Sequence, residues 1–300
     1  VGDKPGDPVF GVSDLLIHLS AEQMEKKAAK VIEGENLDLI IGSIPAEADE
    51  KDDVKEKVKA NIMKILAKEY DIEEEDFLSA EIEVVPAGEA RDYGFDRSMI
   101  MGYGHDDRVC AYPSFEAIAA MEKPEITSVC LLVDKEEIGS VGASGMQSRF
   151  FENTVAEVMN AAGTYSELAL RRALKNSSVL SSDVSAAFDP NFPSVMTKRN
   201  AAYFGRGLVF NKYTGARGKS GSNDANAEYV GYLRNIMDNN NVSFQTAELG
   251  KVDQGGGGTI AYILANYGMS VIDSGVAVLN MHAPWELISK VDLYEAYNGY

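Results

Sequence analysis

Asp134-Lys135-Glu136-Glu137-Ile138-Gly139-Ser140 closes the most apolar run in the middle of the chain, Ile126 to Val133, eight residues without a charge. Rich in Val, Leu and Ile and bounded by Pro124 and Asp134, that run predicts a strand buried on both faces, of the kind found inside a largely parallel sheet. Two adjacent carboxylates then stand at its carboxyl end, the edge where open α/β sheets bind ligands. A solvated acidic turn accounts for the same residues in a chain with 47 Asp and Glu, so position alone leaves both readings open.

Composition narrows the class. Three hundred residues, 45% of them hydrophobic, suit one large or two medium domains with well-filled cores. A net charge of −19 has the wrong sign for phosphate contacts and excludes nucleic acid as the expected partner. Cys110 and Cys130 stand in apolar surroundings and form no disulfide framework, which points to a reduced, cytoplasmic setting. No apolar run reaches the length of a membrane span, and the start Val1-Gly2-Asp3-Lys4 lacks the apolar core of a signal peptide. That start, loop-like and without Met, predicts a chain entered partway through.

Along the chain, the periodicity predicts a charged helix-like segment through Lys30, a strand over Leu37–Gly42, an amphipathic helix over Val58–Tyr70 and a strand over Ala80–Pro86. Between the first strand and the helix, Ala46 to Lys57 is a run of mixed charge expected as a solvated face or loop. These elements make residues 1–92 a small α+β domain, and residues 93–300 a second, larger domain. In the second, helices over Val109–Met121, Phe150–Lys175 (weak at Gly163), Asp224–Asn239 and Ile260–Tyr267 alternate with strands. The strands are expected over Ser177–Ser182, Gly207–Tyr213, Val242–Leu249, Met269–Asp273 and Val276–Met281, and a helical tail follows Pro284. The alternation predicts a three-layer α/β sandwich.

Candidate chemistry collects at strand ends. Asp106 stands at a turn into a helix, Glu136 and Glu137 follow one strand, Asp183 another and His282 a third. Each has a plain alternative: the aspartates at 106 and 107 would also cap a helix. Together, at one sheet edge, these acids and an imidazole suit zinc or a similar divalent ion, with one carboxylate bridging a metal pair. Successive side chains cannot both face one ion, so one of Glu136 and Glu137 can bind while the other moves a proton. The run Gly255-Gly256-Gly257-Gly258 before a helix is expected as backbone that a substrate approaches closely, or as a flexible turn.

Four motifs carry a resemblance. His105-Asp106-Asp107-Arg108-Val109-Cys110, Asp134 to Ser140, Ser181-Ser182-Asp183 with Asp189-Pro190-Asn191-Phe192, and Asn280-Met281-His282-Ala283-Pro284-Trp285-Glu286 resemble, in order, those of the metallo-aminopeptidase family containing aspartyl aminopeptidase and aminopeptidase I. The likeness is greatest to its clostridial aminopeptidase I-type branch and runs over essentially the whole chain. It implies a peptidase that removes single N-terminal residues with two divalent metal ions per subunit, zinc or, by exchange, cobalt or manganese. Asp106 would bridge the ions, Glu137 and His282 would complete one site, Asp183 would belong to the other, and Glu136 would be the general base. Residues 1 to 92 resemble part of the family's dimerisation domain, His18 the histidine that this domain lends to a partner's substrate site. A homo-oligomer is implied, a dodecamer built from dimers.

Two departures qualify the expectation. The family's remaining ligand, a histidine in a His-x-Asp motif, does not occur between Val1 and Tyr300, and His105 is a poor stand-in; an upstream portion would supply it. The acid-preferring members place a lysine where this chain has Asn211 and then Lys212, which leaves neutral, apolar and acidic N-terminal residues open as substrates. The alternatives are another amidohydrolase on the same scaffold, a carboxypeptidase or deacylase, and an inactive assembly protein.

Overall fold

The computed structural model describes residues 1–2, 4–47 and 55–300, so the centre of the mixed-charge run, residues 48–54, lies outside the described residues. The chain divides into two compact units, Val1–Glu89 and Ala90–Tyr300.

In the first unit, strand β1 (Gly11–Val12) and helix α1 (Ala21–Met24) precede strand β2 (Leu39–Ile40) and helix α2 (Lys57–Tyr70). β1 and β2 pair antiparallel, with Val12 opposite Leu39. α2 follows its apolar spacing: Ile62 and Leu66 are half-buried, and a Cβ at Gly42 would stand 2.5 Å from Ile62 Cδ1. Asp71, left-handed at φ 56°, ends the helix by donating its N–H to Leu66. The strand expected over Ala80–Pro86 does not form. Alternation specifies a face, but a strand needs a ladder partner, and Ile82, Val84 and Val85 stay exposed.

The second unit runs β3 (Arg91–Tyr93), β4 (Met99–Gly102), α3 (His105–Ala119), α4 (Phe150–Ala161), α5 (Glu167–Lys175), β5 (Ser178–Ser181), β6 (Ser185–Ala186) and β7 (Leu208–Asn211). It continues through α6 (Ala227–Asn239), β8 (Phe244–Thr246), α7 (Ala261–Ala265), β9 (Ser270–Gly275), β10 (Ala277–Leu279), β11 (Glu286–Ser289) and α8 (Lys290–Gly299). One sheet has the order β5-β9-β7-β8, the other β3-β4-β11-β10-β6. Pairing is parallel in β5/β9, β7/β8 and β10/β6 and antiparallel elsewhere, so the sheets are mixed rather than largely parallel.

Side chains alternating across β9 explain the layers. Val271 packs into a core with Leu170, Leu174 and Leu264 from α5 and α7, while Ile272 packs into another with Val109, Leu233, Met237 and Ala296 from α3, α6 and α8. Helices therefore cover both faces, giving the three-layer α/β architecture. No helix among the described residues is long and apolar enough to cross a membrane.

Two further expectations fail in the second unit. Residues 126–133 form no strand: Asp134 makes only an isolated bridge to Gly145. Leu131 and Val133 pack on the α5/α7 core while Val129 and Leu132 are 61% and 59% exposed, so the run has one buried side rather than two. The tail after Pro284 is not helical at once, because Glu286–Ser289 pairs on both edges, with β10 and with β4, and all four residues are buried. Four residues are too few for a period to separate strand from helix.

Asp292 in α8 is fully buried, and its two oxygens accept N–H groups from Gly207 at 2.7 Å and Gly205 at 2.9 Å, fixing the entry to β7. Asp292→Ala orphans the buried Gly207 donor and is expected to cost about 1–3 kcal/mol, read from urea unfolding. A loss below roughly 0.5 kcal/mol would mean that this clamp contributes nothing to stability.

Candidate metal centre

Three segments deliver the acids and a fourth the imidazole. Glu136 and Glu137 lie on a single 3-10 turn, Glu136–Ile138, entered through Lys135 at φ 67° and left through Gly139 at φ 96°. Asp106 and Asp107 occupy the non-helical start of α3, where the intervening peptide is cis and the dihedrals are −80°/102° and −121°/28°. Asp183 links β5 to β6, passing so close to β9 that a Cβ on Gly275 would stand 1.8 Å from its carbonyl oxygen. His282, left-handed at φ 65°, sits in the turn between β10 and β11.

These segments meet. His282 Nε2 lies 3.1 Å from Asp106 Oδ2 and 3.3 Å from Glu137 Oε2. Asp106, Glu137 and His282 bring one ligand atom each within 4.8 Å of one another, and so do Asp106, Asp107 and Asp183. Asp106 belongs to both groups. Glu136 joins Asp106, Glu137, Asp183 and His282 in lining a cavity of about 650 Å³ that Gly255 to Gly258 also line. His18 is in the first unit, exposed on the turn Ile17–Leu19.

The electrostatics suit a cation. Burial, then the Glu137 charge, pushes Asp106 up to about 7. Burial holds Asp107 and Asp183 well above the usual carboxylate range, each reinforced by the other acids, and raises Glu136 with help from Glu137. Asp107 Oδ1 is buried without a hydrogen-bond partner. Crowded oxygens beside an imidazole, one of them orphaned, form a donor set that fits zinc or a similar divalent ion.

Three residues escaped the sequence reading. Asp107, beside Asp106, reads in sequence as a possible cap, yet it joins the second ligand group. Asp273 is 2% exposed in β9 and faces the hydroxyls of Ser181, Thr214 and Thr259, with neither oxygen in a hydrogen bond of ordinary geometry; burial pushes it up to about 7. Its signal was available, a charge inside the apolar run Val271-Ile272-Asp273. Glu286 closes the last motif, and sequence alone gives it no role. His105 joins neither ligand group: its ring is turned toward Gly102, its Nε2 has no hydrogen-bond partner, and burial lowers its pKa.

The family profile described as aminopeptidase I zinc metalloprotease (M18) matches residues 2–300. The chain belongs to the M18 family. Among similar curated proteins, "Probable M18 family aminopeptidase 1" of Clostridium acetobutylicum is 68% identical over 300 residues, all of this chain and 64% of the relative. The crystal structure of aminopeptidase I from Clostridium acetobutylicum matches with TM-score 0.90 at 67% identity, covering all of this chain and 64% of that one. The M18 aminopeptidase structure from Thermotoga maritima matches with TM-score 0.93 at 48% identity, covering 100% and 65%. This M18 chain thus spans somewhat under two thirds of the length of the relatives it matches.

Proposed function

We propose that this M18 chain serves a metal-dependent aminopeptidase that removes single N-terminal residues, neutral, apolar or acidic, from peptides. The observation that carries the reading is Asp106, whose carboxylate belongs to both ligand groups while Glu136 lines the same cavity without belonging to either. In this reading two divalent ions, zinc in the first instance and cobalt or manganese by exchange, are held per subunit. Asp106 is shared, Glu137 and His282 hold one ion, and Asp183, now with Asp107, contributes to the other.

When bound, the ions would supply Lewis acidity at the scissile carbonyl and lower the pKa of water at the centre. Glu136 takes a proton from the attacking water as the new C–O bond forms and passes it to the leaving amine as the C–N bond breaks. Its half-buried setting beside Glu137, which raises its pKa, suits a group that must both accept and return a proton. The substrate ammonium is drawn to the acidic side of the cavity. In the same cavity, Cβ atoms at Gly257 and Gly258 would meet nothing nearer than Leu249 Cδ2 at 4.0 Å and Gly221 O at 3.8 Å. The protein's own packing does not require glycine at these two positions, which supports close approach by a peptide backbone.

His18 is read as a substrate-binding residue lent to a partner subunit within a homo-oligomer, a dodecamer built from dimers. In support, no apolar side chain among the described residues of Val1–Glu89 is buried, and Leu15, Leu16, Ile17 and Leu19 are exposed together. Two free cysteines, Cys110 and Cys130, agree with a reduced cytoplasmic setting.

The test is a matched set of short peptides, each offered with a free or an N-acetylated terminus, to the purified zinc-loaded protein. Release of the first residue is expected from the free-amine peptides alone, abolished by chelation and restored by zinc. Cleavage of the acetylated set at a comparable rate would reassign the chain to deacylase or related amidohydrolase chemistry.

A further inference from the structure

Glu286 is 2% exposed and opens β11, its backbone opposite Gly102 of β4. Its Oε2 accepts the backbone N–H of Asp106 at 2.9 Å, and its Oε1 accepts the backbone N–H of His282 at 2.9 Å. Both segments depart from regular backbone at these residues: Asp106 is non-helical at the head of α3, and Asn280 and His282 stand at φ 58° and 65°. Left-handed backbone at a residue other than glycine persists only where its surroundings hold it. At Asp106 and His282 one carboxylate accepts the N–H groups of both segments at once.

We infer that Glu286 is the positioning residue of the metal centre, a buried carboxylate that touches no reacting atom and pins the Asp106 and His282 backbones together. The consequence is visible in the side chains, which stand 3.1 Å apart although their residues are far separated in sequence. Glu286 is in neither ligand group. A hydrogen bond from a backbone N–H to a buried carboxylate is charge-assisted and directional, so each bond fixes where its side chain begins. Pre-set ligands bind an ion without first being ordered, and outer-shell partners of ligands typically change metal affinity by about 10–100-fold when removed. The inference rests on reading Asp106 and His282 as ligands.

Glu286→Gln tests it. The amide keeps shape and size but turns one acceptor into a donor facing an N–H, so one of the two bonds is lost. Zinc affinity of the metal-free protein, measured by competition with a chelating dye, is expected to weaken by about 10–100-fold. Circular dichroism should be unchanged, and turnover at saturating zinc should recover most of its value. Glu286→Asp, a methylene shorter and able to reach one N–H at best, should weaken zinc binding similarly and covers the case in which the glutamine variant does not fold. His282→Ala is the control. If it too leaves zinc binding intact, the ligand reading has failed; if it loses zinc while Glu286→Gln binds as tightly as the unaltered protein, the positioning role is overturned. Failure of both Glu286 variants to fold would likewise overturn it, by making the residue a general support of the sheet.

Discussion

Glu136→Gln is expected to lower kcat by about 10³-fold or more while leaving zinc content per subunit unchanged, measured by elemental analysis beside peptide turnover. The size follows from what the side chain does in the proposed reaction. Glutamine fills the same volume but can neither take a proton from water nor return it to an amine, and positioned acid–base groups contribute about 10²–10⁴-fold. The sparing of metal follows from geometry: it is Glu137, not Glu136, that brings an oxygen to 3.3 Å from His282 Nε2 within the first ligand group. Neighbouring side chains on one 3-10 turn point in different directions, so the two acids cannot exchange duties. Zinc lost together with activity in this variant would make Glu136 a ligand and leave the proton transfer without an agent.

The second large effect is expected at Asp106. Asp106→Asn should abolish binding of both ions, whereas His282→Ala should remove one, and stoichiometry by elemental analysis distinguishes the two variants even where both are inactive. Asp106 is the residue common to both ligand groups, and an amide brings one neutral oxygen where two charged ones served. Its loss also relieves the crowding that raises neighbouring carboxylates, so the remaining acids of the variant face one another with less repulsion and no shared ion. Peptidase activity should fall by about 10³-fold or more in Asp106→Asn, since acid–base groups alone cannot replace the polarisation of the carbonyl. Retention of both ions would place the bridge elsewhere, and equal loss in the two variants would mean that the centre binds its ions only as a unit.

The family was legible because the chain carries its motifs short and in order, and the family profile matches over residues 2–300. Periodicity also placed α2, α6, β5 and β7 to within a few residues. It fails at 126–133, where an uncharged run reads as a strand buried on both faces. Composition reports that a segment avoids water, but not whether a neighbouring strand is there to pair with it. It failed again at Glu286–Ser289, where four buried residues paired on both edges follow a proline and give too short a pattern to read. Asp273 was passed over for a related cause: an acid in a chain with 47 of them draws no notice until its burial is known.

Sequence by itself determined the family and the donor types at hand, through residue types at spacings that local structure preserves: adjacent glutamates after an apolar run, an aspartate pair opening a helix, a histidine in a turn. Tertiary structure alone decided which of these acids share an ion-sized space, that Asp107 joins Asp183, and that Glu286 holds two distant segments at once. The reason is physical. A helix or turn is set by neighbours along the chain, whereas the 3.1 Å between His282 and Asp106 depends on the register of β11 against β4 and β10, which no local pattern records.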